Sequence, residues 1–175
     1  MKSNIALGLC TAALIWAATG ATAQDESDNR VAANTDWSVF VEASPKECWS
    51  VSKPKETVNT KDGRPVAVSR GDILMFVSYR PEAGVSGEVS FTGGYPFKPE
   101  SAVTVTIGSD TFQLFTDGEW AWSSGPEDDA KIIAAMKRGA DAIVVGVSSR
   151  GTRTEDKFSL LGFTAAVEDA AARCK

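Results

Sequence analysis

The chain has 175 residues, a formal net charge of −5 and no histidine. Its length allows one domain with a sizeable core. Its acidity is the wrong sign for nucleic acid. The missing histidine excludes Cys–His and Ser–His–Asp nucleophile systems, His-containing zinc sites and His-ligated haem.

The N-terminus reads "MKSNIALGLCTAALIWAATGATAQDES". Lys2 is a positive n-region, Ile5 to Ala18 an apolar h-region, and Ala21-Thr22-Ala23 a small-x-small cleavage pattern. Residues 1–23 are therefore predicted to be a secretory signal peptide cleaved after Ala23, since the apolar run is too short to span a bilayer. This places the mature protein in the periplasm, in the medium or at the cell surface, with no membrane span after cleavage. Residues 24–35 read as a polar, flexible leader, and the domain is predicted over 36–175.

Cleavage would remove Cys10 and leave Cys48 and Cys174. Two cysteines in an exported chain read as a disulfide, not as a reactive thiol or a metal site. The closing segment "FTAAVEDAAARCK" supports the pairing. Phe163, Val167, Ala170 and Cys174 fall on one helical stripe, which turns Cys174 toward the body of the domain.

Along the domain, "DWSVFVEA" and "ECWSVS" alternate as strands. A loop with a turn at Asp62-Gly63 follows, enclosing a short strand. "ILMFVSY" reads as a buried strand, and "GEVSFTGG" as a strand with Val89 and Phe91 inward. "AVTVTIGSDTFQLFTDGEWAW" reads as three strands joined by tight turns at Gly108-Ser109 and Asp117-Gly118. That register sets Phe115 opposite Trp120. It gives a core face of Val103, Val105, Phe112, Leu114 and Ala121, and an opposite face carrying Phe115, Trp120 and Trp122. Pro126 to Arg138 is predicted to be a helix, with Pro126 at its first position, acids in its first turn, Lys137 and Arg138 in its last, and Gly139 just past the end. "DAIVVGVSS" and "RTEDKFSLLGF" give two more strands before the terminal helix. The fold class is mainly β: an antiparallel, immunoglobulin-like sandwich with two short helices in its C-terminal half and a single disulfide.

Several of these segments together resemble a known family. "DWSVFVE", "ECWSVS", "AMKRGADAIVVGVSSRGT" and above all "DKFSLLGFTAAVEDA" look like the invasion-associated locus B family, over nearly all of the mature chain. The resemblance implies an exported protein of a Gram-negative bacterium with a β-sandwich fold and a family name taken from host-cell invasion. It implies no catalytic residues. The chain departs from the family pattern where a cysteine ends the first strand: Val41 stands near that place.

Three stretches are candidate binding elements. Phe115, Trp120 and Trp122 could stack on sugar rings or anchor a protein, but the helix that follows is expected to fold back over Trp120, leaving Trp122 the more exposed of the two. "SSRGTRTEDK" offers Arg150 and Arg153 as an anion clamp, against an ordinary solvated hairpin. "FTGGYPF" offers Tyr95 and Phe97 as a ligand loop, against aromatics tucked into the sandwich edge. Glu47, Glu88, Glu119 and Asp141 are the carboxylates near strands, and a facing pair would be needed for histidine-free glycan hydrolysis. No catalytic, cofactor or metal residue is identified. The reading is an exported envelope protein that acts by binding an envelope or extracellular protein or glycan. Glycan hydrolysis and a purely structural role are its alternatives.

Overall fold

The computed structural model describes residues 29–175. The predicted signal peptide lies outside the described residues, as does the first part of the predicted leader. Twelve strands and two helices follow in chain order. They are β1 (Arg30–Asn34), β2 (Trp37–Ala43), β3 (Lys46–Ser52), β4 (Glu56–Lys61), β5 (Arg64–Pro65), β6 (Leu74–Arg80), β7 (Val85–Thr92), β8 (Ala102–Ile107), β9 (Asp110–Asp117), β10 (Trp120–Trp122), α1 (Pro126–Arg138), β11 (Asp141–Val147), β12 (Arg153–Ser159) and α2 (Phe163–Arg173). The mainly antiparallel β fold with two helices in the C-terminal half is as expected. So is the extent of α1.

The strands form one hydrogen-bonded order, β1-β2-β3-β6-β7-β10-β9-β8-β11-β12-β4-β5. The sheet folds over itself, because residues far apart in that order meet across the core. Phe91 of β7 lies edge-on to Phe158 of β12, ring centroids 6.1 Å apart. The indole N–H of Trp37 in β2 donates to the carbonyl of Ser159, 2.9 Å away. The layers enclose Val39, Met75, Val77, Val89, Phe91, Val103, Leu114, Val144 and Phe158. They are joined through β10 without a break, so two separate sheets do not form.

Two expectations are corrected. Residues 30–34 are not leader but an edge strand, paired antiparallel to β2. "RVAAN" carries no alternating pattern, but an edge strand needs only a backbone partner. The β9–β10 turn is centred one residue later than expected, and Trp120 pairs with Asp117 and Trp122 with Phe115. Gly118 alone has positive φ there, at 59°. A two-residue turn with glycine first needs positive φ at one position only, so Asp117 stays in the strand. The slip moves the pairing by two residues and leaves the faces unchanged. The Gly108-Ser109 turn has the expected register, Val103 opposite Leu114 and Val105 opposite Phe112.

Cys48 and Cys174 form the expected disulfide, Cα atoms 5.7 Å apart. It ties β3 to the end of α2, which buries Phe163, Ala166, Val167 and Ala170. Gly162 starts this helix at φ 87°, and a Cβ there would overlap the carbonyl of Asn34 at the end of β1. The backbone N–H of Asp36 donates to Leu161 at the same approach. Gly162→Ala should therefore lower unfolding stability by about 3 kcal/mol, from left-handed strain plus the forced retreat of β1. A fall in urea midpoint with an unchanged slope is the expected readout. An unmoved midpoint would show that β1 is not held against the helix.

Candidate functional site

The outer face of one layer is aromatic. In β3 the disulfide turns Cys48 inward, and by strand alternation Trp49 must point out. Phe40 of β2 stands opposite Trp49 and stacks on it, centroids 5.5 Å apart and planes 3° from parallel. Met75 and Val77 of β6 are buried, so Phe76 and Ser78 face out. Ala121 is buried in β10, which sends Trp120 and Trp122 out on either side of it. Phe76 lies 5.7 Å from Trp120, Trp120 lies 6.1 Å from Trp122, and Phe115 lies 5.7 Å from Trp122. Six aromatic side chains thus cross the face, from β2 at one side to β9 at the other.

The expectation that α1 covers this face is corrected. Trp120 is 39% exposed and Phe115 53%. Trp122, expected to be the more open of the pair, is half-buried and packs against Phe115. The helix turns inward instead, burying Ile132, Ala135 and Met136. The cause is the shortness of β10, which pairs with β7 only at Ser90, Phe91 and Thr92. Beyond that, the edge of β7 needs another partner. Asp129 of α1 supplies it, accepting hydrogen bonds from the Val89 backbone N–H at 2.7 Å and the Ser123 hydroxyl at 2.6 Å. Burial raises the Asp129 carboxyl above its ordinary value, and those two donors oppose the shift.

Between Trp49 and the Trp120–Trp122 pair lies a trough of about 330 Å³ with Ser78 and Ser90 among its lining residues. Glu47, Arg80 and Glu88 also line it. Arg80 bridges both acids, 3.3 Å to Glu47 and 2.6 Å to Glu88. The indole N–H groups of Trp49, Trp120 and Trp122 have no hydrogen-bond partner among the described residues, unlike that of Trp37. The trough therefore offers ring surfaces, free donors, hydroxyls and a fixed charged rim.

The other predicted site residues lie elsewhere. Tyr95 is half-buried, its hydroxyl 2.5 Å from that of Thr154 and its ring under the Arg70 guanidinium at 5.1 Å. Burial raises its hydroxyl above the usual tyrosine value. Phe97 is buried, as the tucked reading has it. Arg150 lines a separate cleft beside Tyr95. Arg153 is paired with Glu155 at 2.9 Å, so the two arginines do not act together as a clamp. Of the four candidate carboxylates, only Glu47 and Glu88 share a site. Glu119 lines the cleft with Arg150, and Asp141 faces Lys157. Sequence reading missed Phe40, Trp49 and Phe76 as members of the face. The parity of Trp49 with the inward Cys48 was the available signal. No group of three or more metal-ligating side chains occurs among the described residues, and none of the described helices is long and apolar enough to cross a membrane.

A family model described as invasion associated locus B (IalB) protein matches residues 37–171. The chain belongs to the invasion-associated locus B family. A crystal structure of invasion associated protein B from Bartonella henselae has a similar fold, with a TM-score of 0.55 at 15% identity, over 81% of this chain and 95% of that one. No curated protein matches the chain. The family match takes in every strand of the aromatic face, from β2 to β10. It ends at Ala171, so Cys174 and its half of the disulfide lie beyond it. Val41 of β2 pairs directly opposite Cys48.

Proposed function

We propose that this invasion-associated locus B protein is exported to the bacterial envelope or surface and acts there by binding, with the aromatic outer face as its contact surface and an extended glycan chain as its partner. The observation that carries the reading is the uncovered row of six aromatics with polar groups set among them. A helix or a second sheet would bury a purely apolar face. Here hydroxyls, free indole N–H groups and the Glu47–Arg80–Glu88 cluster accompany the rings. Sugar rings need that mixture, because each has an apolar face to stack and a rim of hydroxyls to hydrogen-bond. Arg80, held by two carboxylates, is a preorganised donor.

The test separates binding from folding. Trp120→Ala should cost about 1–2 kcal/mol, less than the roughly 3–5 kcal/mol of a fully buried aromatic, because the ring is 39% exposed yet packs on Phe76 and Trp122. It should weaken co-sedimentation with insoluble peptidoglycan or chitin by about ten-fold or more, as loss of a central aromatic does. Capture of a protein by the wild type, with neither polysaccharide retained, would overturn the glycan assignment. A large loss of stability in Trp120→Ala would make the face a structural element instead.

A further inference from the structure

A second depression lies at the loop end of the fold and shares no lining residue with the aromatic trough. Its volume is about 490 Å³, within the usual range for small-molecule sites. Four chain segments form it: the loop before β6, the Tyr95-Pro96 strap, the β9–β10 turn that carries Glu119, and the β11–β12 hairpin.

These walls are held in place. Gly71 donates its N–H to Gly94 at 2.9 Å, and a Cβ on Gly94 would come within 2.6 Å of Gly71. Phe97 bridges to Ser148 in the hairpin. The Tyr95 and Thr154 hydroxyls are hydrogen-bonded to each other. Arg70 belongs to this framework, since its guanidinium grips Asp156 through both terminal nitrogens.

Arg150 is different. It lines the cleft, is exposed, and has no ion-pair or hydrogen-bond partner among the described residues. Glu119 on the same lining is likewise unpaired. The side-chain hydroxyls of Ser69, Ser149 and Thr152 also line it without a partner. One free guanidinium matches one carboxylate, and its planar fork suits that group. A second negative charge on the ligand would meet Glu119. A carboxylate oxygen at Glu119 only accepts, so it calls for a hydroxyl donor, and the serine and threonine hydroxyls can donate or accept.

We propose that this cleft is an independent binding site for a monosaccharide-sized sugar acid, with the ligand carboxylate on Arg150 and its hydroxyls shared among Glu119, Ser69, Ser149 and Thr152. The assignment does not depend on the aromatic face.

The experiment is an NMR titration of the mature chain with D-glucuronate, D-glucose and L-glutamate. Glucuronate should shift the amide signals of Ser69, Ser149, Arg150 and Thr152, and glucose should bind about ten-fold more weakly or less. Arg150→Gln, at an exposed position, should keep the fold and weaken glucuronate by about ten-fold or more. Trp120→Ala should bind glucuronate as the wild type does, whatever happens to polysaccharide sedimentation. Absence of glucuronate shifts, or unchanged affinity in Arg150→Gln, would overturn the proposal. Glutamate binding as tightly as glucuronate would overturn the sugar-acid class.

Discussion

Cys48→Ala/Cys174→Ala should be less stable than the oxidised wild type by about 5 kcal/mol, the loop-closure entropy for a bridge of this span. The two cysteines are 126 residues apart, so the bond closes almost the whole folded chain. Total stabilities of domains are about 5–15 kcal/mol, and the loss would remove a third or more of that. Alanine is the right replacement because Cys48 is fully buried beside a β3 serine, Ser50, whose hydroxyl already lacks a partner. A serine at 48 would add a second unsatisfied hydroxyl to the first effect. The damage should begin at α2. An eleven-residue helix is marginal by itself, and this one is held by its apolar stripe and the disulfide. Hydrogen exchange should therefore show α2 opening before β6 and β7 in the variant. Denaturation in urea gives the total. A midpoint equal to that of the wild type would mean that packing of Phe163 and Val167 alone secures the helix.

Much of this architecture is written in alternation and punctuation. Buried Val103, Val105 and Leu114 alternate with outward residues along β8 and β9, and Pro126 with the acids after it marks the start of α1. Strand parity also settles which aromatics share a face. It does not say what stands above that face. The course of α1 depends on where β10 stops and which edge then needs an acceptor, and both are tertiary facts. β1 was hidden for a related reason. Its pairing uses backbone groups, which every sequence has, and only Ala32 packs against the core. The candidate site was half legible. Phe115, Trp120 and Trp122 are neighbours in sequence or across one hairpin, whereas Phe40, Trp49 and Phe76 join them only when β3, β6 and β7 are ordered side by side. Arg150 and Arg153 look alike in the sequence. One has Glu155 as its partner and the other has none, a difference set by side-chain placement within a single hairpin.

Arg70 gave no sequence signal at all, yet its replacement is expected to be the second most damaging change. "PVAVSRGD" falls in the stretch that reads as a loop, with nothing to mark its arginine. In the structure the Arg70 side chain is 7% exposed and that of Asp156 is fully buried. The two meet through a pair of hydrogen bonds of 2.7 and 2.6 Å, and Arg70 also donates to Gly93 at 2.8 Å and Asn59 at 3.3 Å. One side chain thus fastens the loop before β6 to β4, β12 and the end of β7. Arg70→Met should cost about 3–5 kcal/mol, because it strands a carboxylate in the interior. Burial already pushes the Asp156 carboxyl above its ordinary value, with Arg70 opposing the shift. Without Arg70 the carboxyl moves further up. The folded variant then binds more protons than its unfolded chain from about pH 4 upward, so its stability falls as the pH rises through that window. The deficit of Arg70→Met against the wild type should therefore be larger at pH 8 than at pH 5. Arg70→Met/Asp156→Leu should recover most of the loss, since an apolar pair of similar volume leaves no buried charge. Urea unfolding of the two variants at both pH values decides the matter. A double variant as unstable as the single one would show that the hydrogen bonds to Gly93 and Asn59, and not the stranded charge, are what the loop depends on.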